Sequence, residues 1–112
     1  MYSIKNQTLR GGGALSIDIE TASIKINSYF SRHPYLYDDY HKSALGMYVM
    51  LNKFDFTVKD IAACYKVSRP TVRSRVYVIT QKINKNIRFE KEVKKIYRYI
   101  IYNANLIYGS SK

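Results

Sequence analysis

The chain has 112 residues, of which 46% are hydrophobic, and its 19 Lys/Arg against 8 Asp/Glu give a net charge of +11. That hydrophobic share excludes a disordered polyelectrolyte, the length suits one domain around a modest core, and a single cysteine, Cys64, excludes an intramolecular disulfide. No apolar run approaches the roughly 20 residues that span a bilayer, and no signal-peptide core opens the chain, so a protein of the cytoplasm is expected.

The charge is unevenly placed. Residues 1–56 hold six cations (Lys5, Arg10, Lys25, Arg32, Lys42, Lys53) against five acids (Asp18, Glu20, Asp38, Asp39, Asp55), whereas residues 57–112 hold thirteen against three. A polyanion is the expected partner of that second half, because each phosphate neutralised releases counterions.

In chain order, residues 1–16 read as a flexible N-terminal arm with Gly11-Gly12-Gly13 as its join, and residues 17–112 as the folded domain. Lys5 and Arg10 leave an arm laid along DNA as an alternative. A first helix is predicted over Ile17 to Phe30, with Ile19, Ala22, Ile26 and Tyr29-Phe30 on its apolar face. Arg32-His33-Pro34 breaks it, and Asp38 or Asp39 caps a second helix to Lys53. That helix mixes two apolar faces through Leu45, Tyr48, Val49 and Leu51, so it should be central. Phe54-Asp55-Phe56 connects it onward, both aromatics closing the core. His33, Asp38, Asp39 and His41 are the one grouping with metal-ligand chemistry, but their spacing matches no derivable site and helix capping accounts for the carboxylates. No metal and no cofactor is expected.

Thr57 to Ile83 organises the rest. Thr57 with Asp60 forms an [ST]-x-x-[DE] helix start, and Val58, Ile61 and Ala62 share one face, with Ala62 small enough for a close crossing. Cys64 within this helix reads as a small packing residue. Lys66 occupies the turn position that usually holds glycine, so a left-handed backbone there is either avoided or strained. Ser68 caps the next helix and Pro70 sits in its first turn. Val72, Val76, Ile79 and Ile83 form a buried stripe, while Arg69, Arg73 and Tyr77 lie together on another face. This is the pattern of a helix-turn-helix whose second helix reads the major groove. That helix should end near Asn86. A last helix from about Phe89 to Tyr108 buries Val93, Ile96-Tyr97, Ile100, Ala104 and Ile107, with Lys91, Lys94, Lys95 and Arg98 on its polar flank. Tyr99, Ile101 and Tyr102 widen its apolar surface, either as cover for a small core or as an interface for a second copy or a protein partner.

The expected fold is therefore all-α, a small bundle of about five helices containing a helix-turn-helix. Met47-Tyr48-Val49-Met50 followed by Thr57-Val58-Lys59-Asp60-Ile61 resembles the A-M-Y-L…S-L-x-E-I run of domain IV, the DNA-binding domain, of the bacterial chromosomal replication initiator DnaA. Thr71-Val72 is similar to that family's T-T-V, Lys82-Ile83 to its closing K-I, and Ile19 to Phe30 to its opening helix with a terminal aromatic pair. The family's G-G-R-D-H-T-T-V signature is replaced by Tyr65-Lys66-Val67-Ser68-Arg69-Pro70-Thr71-Val72, one residue shorter and lacking the Asp-His pair, and no ATPase domain is expected. Val67-Ser68 before Thr71-Val72 looks like the V-S-x-x-T-V of repressor-type motifs, so the expected architecture is Trp-repressor-like or DnaA-domain-IV-like. The resemblance implies a helical DNA-binding fold.

The expected partner is double-stranded DNA. Arg69, Thr71, Arg73, Ser74 and Tyr77 are the candidates for the groove, since arginine pairs with guanine edges and threonine can meet a thymine methyl. Lys42, Ser43, Lys59 and Lys66 are placed nearer the phosphates, and Arg75 is open between phosphate contact and packing. No catalytic constellation is visible, so an enzyme is not expected; metal-dependent cleavage through Asp38-Asp39 is the weakest option. Transcriptional control or origin binding in a small replicon, such as a phage or plasmid, is the expected use, in host cytoplasm or nucleoid if phage-encoded. The rival is a protein-interaction module built on the tyrosine-rich C-terminal helix.

Overall fold

Polar caps divide the chain into its helices. A computed structural model describes residues 17–34 and 36–110, with side chains to residue 102. Among these residues the structure is all-helical: α1 (Ile19–Ser31), α2 (Asp39–Lys53), α3 (Val58–Tyr65), α4 (Arg69–Lys85) and α5 (Ile87–Ser110). Asp18 accepts the Thr21 amide at 2.7 Å and Asp38 the His41 amide at 2.8 Å, each satisfying an orphan donor of its helix. Those amide bonds hold both carboxyls below the ordinary carboxylate value. Thr57 and Ser68 cap α3 and α4 through the amides of Asp60 and Thr71, at 3.0 and 3.3 Å.

Two helix starts differ from expectation for local reasons. Asp18 is itself the cap, so α1 begins at Ile19 and not Ile17. Asn86 ends α4 in an extended conformation, and its Oδ1 accepts the Arg88 amide at 3.0 Å, which starts α5 at Ile87 and not Phe89.

α2 packs against all four other helices, most extensively against α4. Its Ala44, Leu45, Met47, Val49 and Met50 are buried, joined by Ala22, Ile26, Ile61, Val72, Ile79, Val93, Ile96 and Ile100 from the surrounding helices. Each of the larger apolar side chains contributes about 1.5–3 kcal/mol by leaving water. Phe54 and Phe56 stack at 5.9 Å between centroids and close the core beneath α2, and the Phe56 amide bonds to the Met50 carbonyl at 3.1 Å. Val72, Val76 and Ile79 are buried as the stripe required, with Ile83 half-buried at its end. On α5 the expected stripe is buried at Val93, Ile96 and Ile100 and half-buried at Tyr97, while the side chains of Ala104 and Ile107 lie outside the described residues, as does the arm of residues 1–16. No described helix is long and apolar enough to cross a membrane.

Candidate nucleic-acid interface

α3 and α4 are joined by three residues, 66–68, and the geometry of that turn fixes everything presented by α4. Lys66 adopts the left-handed conformation, φ 60° and ψ 47°, that the sequence marked as avoided or strained. The strain is accepted because it closes the helix: the Val67 amide reaches back to the Ala62 carbonyl at 3.0 Å and the Lys66 amide to that of Ala63 at 3.3 Å. Half-buried Val67 then packs on the core, as does the first turn of α4 through Val72. Ser68 holds that turn twice, accepting the Thr71 amide and sharing a 2.9 Å hydrogen bond with the Thr71 hydroxyl.

With its apolar stripe inward, α4 turns Arg69, Arg73, Ser74 and Tyr77 outward, and all four are exposed, Tyr77 at 63%. Thr71 is half-buried beside them. Between Arg69 and Lys85, α4 carries five cations (Arg69, Arg73, Arg75, Lys82, Lys85) and no acid. No described residue forms an ion pair with Arg69 or Arg73, so neither charge is neutralised within the described fold. Lys59 and Lys66, both exposed, stand on α3 and in the turn.

Arg75 is different. Its Nη1 donates to Ser43 Oγ at 2.8 Å, and its guanidinium lies 5.1 Å from the Tyr40 ring centre. Ser43 in turn donates to the Tyr40 carbonyl at 2.9 Å. Arg75 and Ser43 are thus a polar joint between α4 and the first turns of α2, and Arg75 resolves toward packing. Half-buried Lys42 reaches the Pro34 carbonyl at 3.5 Å. Tyr40, missed in the sequence, shares with Pro70, Thr71, Ser74 and Arg75 a shallow depression of about 360 Å³ beside the exposed face. Its partner lies 35 positions away along the chain, and no local pattern marks such a contact.

The histidine and carboxylate grouping does not assemble. His41 Nδ1 bonds to the capping carboxylate of Asp38 at 2.7 Å, while His33 packs on the Tyr29 ring at 4.8 Å between centroids. Among the described residues no three His, Cys, Asp or Glu side chains gather as metal ligands would. Cys64 is half-buried against the core, a packing position.

Among the described residues, fold and surface together define an all-α bundle of five helices with a cationic face on the fourth whose Arg69 and Arg73 form no ion pair. No family model matches the chain, and neither a curated protein nor a solved structure does.

Proposed function

We propose that this chain is a double-stranded DNA-binding protein of the helix-turn-helix type, with α4 as the helix that enters the major groove. The observation that carries the reading is the exposed Arg69–Arg73–Tyr77 face, its arginines without an ion pair among the described residues, on a helix whose opposite side is locked into the core. Arg69 and Arg73 are suited to guanine edges, and Ser74 and Tyr77 to neighbouring edges or sugar. The Thr71 hydroxyl is engaged by Ser68, which leaves the methyl group as its contribution to a thymine contact. Lys59 and Lys66 fit phosphates and set register; Lys42 and Ser43 support the face from α2, and Arg75 fixes the α2–α4 angle and not a base. Transcriptional control or origin marking in a small phage- or plasmid-like replicon is the use such a small basic module serves, and the DnaA-domain-IV resemblance of Met47–Ile61 agrees with it.

Gel shifts on random duplex DNA at two salt concentrations test this directly. Binding that weakens steeply with salt is the expected result. Absence of salt-sensitive binding favours the rival, a protein-interaction module that uses α5, whose Tyr102 is 64% exposed. Selection from a random pool then gives the site, and a palindromic site indicates a dimer.

A further inference from the structure

A cleft of about 650 Å³ lies between the end of α1, the loop that follows it and one side of α5. None of its lining residues belongs to α3 or α4, so it is separate from the proposed DNA face. Arg88, Lys91, Lys95, Arg98 and Tyr102 recur along α5 at alternating spacings of three and four, which places them on one stripe, and all five line the cleft. At about 1.5 Å of rise per residue, the four cations extend over roughly 15 Å of helix.

Within this cationic rim sits a carboxylate. Glu92 is only 6% exposed, and its Oε2 accepts the Tyr29 hydroxyl at 2.5 Å. A buried acid is costly unless hydrogen-bonded, and here one phenol donor fixes one oxygen of a residue that lines the cleft. Tyr37, Tyr99 and Tyr102 supply aromatic surface around it. Tyr99 is held in place by a 2.7 Å hydrogen bond with Ser28 and by the Arg32 guanidinium 5.8 Å from its ring centre.

We infer that this cleft is a nucleotide site that selects guanine. Its three chemical features call for one molecule with three matching parts. Aromatic rings favour a planar base, and a row of cations favours phosphates. The fixed carboxylate favours two adjacent N–H donors, which guanine presents on its N1 and exocyclic N2 and adenine does not. The length of the cation row fits a nucleotide with more than one phosphate. No chemical step is assigned to the site; it binds.

Calorimetric titration of the full chain with GDP, ADP, IDP and pyrophosphate tests the inference without any duplex, so its outcome is independent of the DNA reading. GDP is expected to bind at least about tenfold more tightly than ADP, and more tightly than IDP, which lacks the N2 amine. Lys95→Ala with Arg98→Ala should weaken GDP by about tenfold or more. Glu92→Gln should erase the preference for guanine while retaining pyrophosphate binding; if that variant does not fold, the GDP-to-IDP ratio in the unaltered chain carries the same information. Equal affinity for GDP, ADP and pyrophosphate would reduce the site to a bare anion patch and overturn the proposal, as would no GDP binding at about 1 mM.

Discussion

Gly46→Ala tests how closely α3 is seated on α2. A Cβ at position 46 would stand 2.2 Å from the Tyr65 hydroxyl oxygen and 3.2 Å from Cγ2 of Ile26, against 3.4–4 Å for ordinary contact. Tyr65 is the last residue of α3, packed on the core and followed by left-handed Lys66, so its ring has little freedom to swing away. Moving the hydroxyl by more than an ångström displaces the end of α3 and the turn that aims α4. Overpacking of this kind costs about 1–3 kcal/mol, while alanine gains about 1 kcal/mol over glycine in a helix interior. The net expectation is a loss of up to roughly 2 kcal/mol. Urea unfolding monitored by circular dichroism measures it as a lower midpoint at constant slope. Adding Tyr65→Phe removes the obstructing oxygen, so the double variant should recover to within about 0.5 kcal/mol of Tyr65→Phe alone. If Gly46→Ala by itself raises stability by about 1 kcal/mol, only helix propensity is acting and the close α2–α3 approach is wrong.

Lys66→Gly should stabilise the fold by roughly 0.5–1 kcal/mol, the relief of a left-handed non-glycine residue less the extra freedom of glycine in the unfolded chain, read as a rise in melting temperature. Burial raises the phenol pKa of Tyr29, with a further push from Glu92, and burial likewise raises that of Tyr65, both above the ordinary 10.0. The unfolded chain releases these protons near pH 10 while the folded chain keeps them, so stability should be full below that pH and fall above it; Tyr65→Phe should flatten the decline. Tyr29→Phe leaves the buried Glu92 carboxylate without its donor and should cost about 1–3 kcal/mol in the same unfolding assay.

Much of this fold was legible because short-range rules decide it. Thr57, Ser68 and Asp38 are oxygen-bearing side chains three residues before an orphan amide, and the stripe Val72–Val76–Ile79 has helical spacing, so three helix starts and the inward side of α4 follow from local pattern. The extent of α2 also followed, since Asp38 and the Phe54 break bracket it. The missed features are long-range. In the sequence Arg75 is open between phosphate contact and packing, and only the fold brings Ser43 and Tyr40 beneath it. Glu92 lies between Lys91 and Lys94 in a charged run that reads as solvated, yet Tyr29, 63 positions earlier, draws it inside. Lys66 showed the reverse: the sequence flagged strain at its position, and tertiary closure of α3 imposes it.

The most direct measurement of the central claim compares Arg73→Ala with Lys66→Ala on a duplex selected from a random pool and on unrelated duplexes. Arg73→Ala should lose about 1–3 kcal/mol on the selected site and relax base preference at one position, whereas Lys66→Ala should weaken all duplexes alike and shallow the salt slope. Unchanged affinity and unchanged preference in Arg73→Ala would contradict the placement of α4 in the groove.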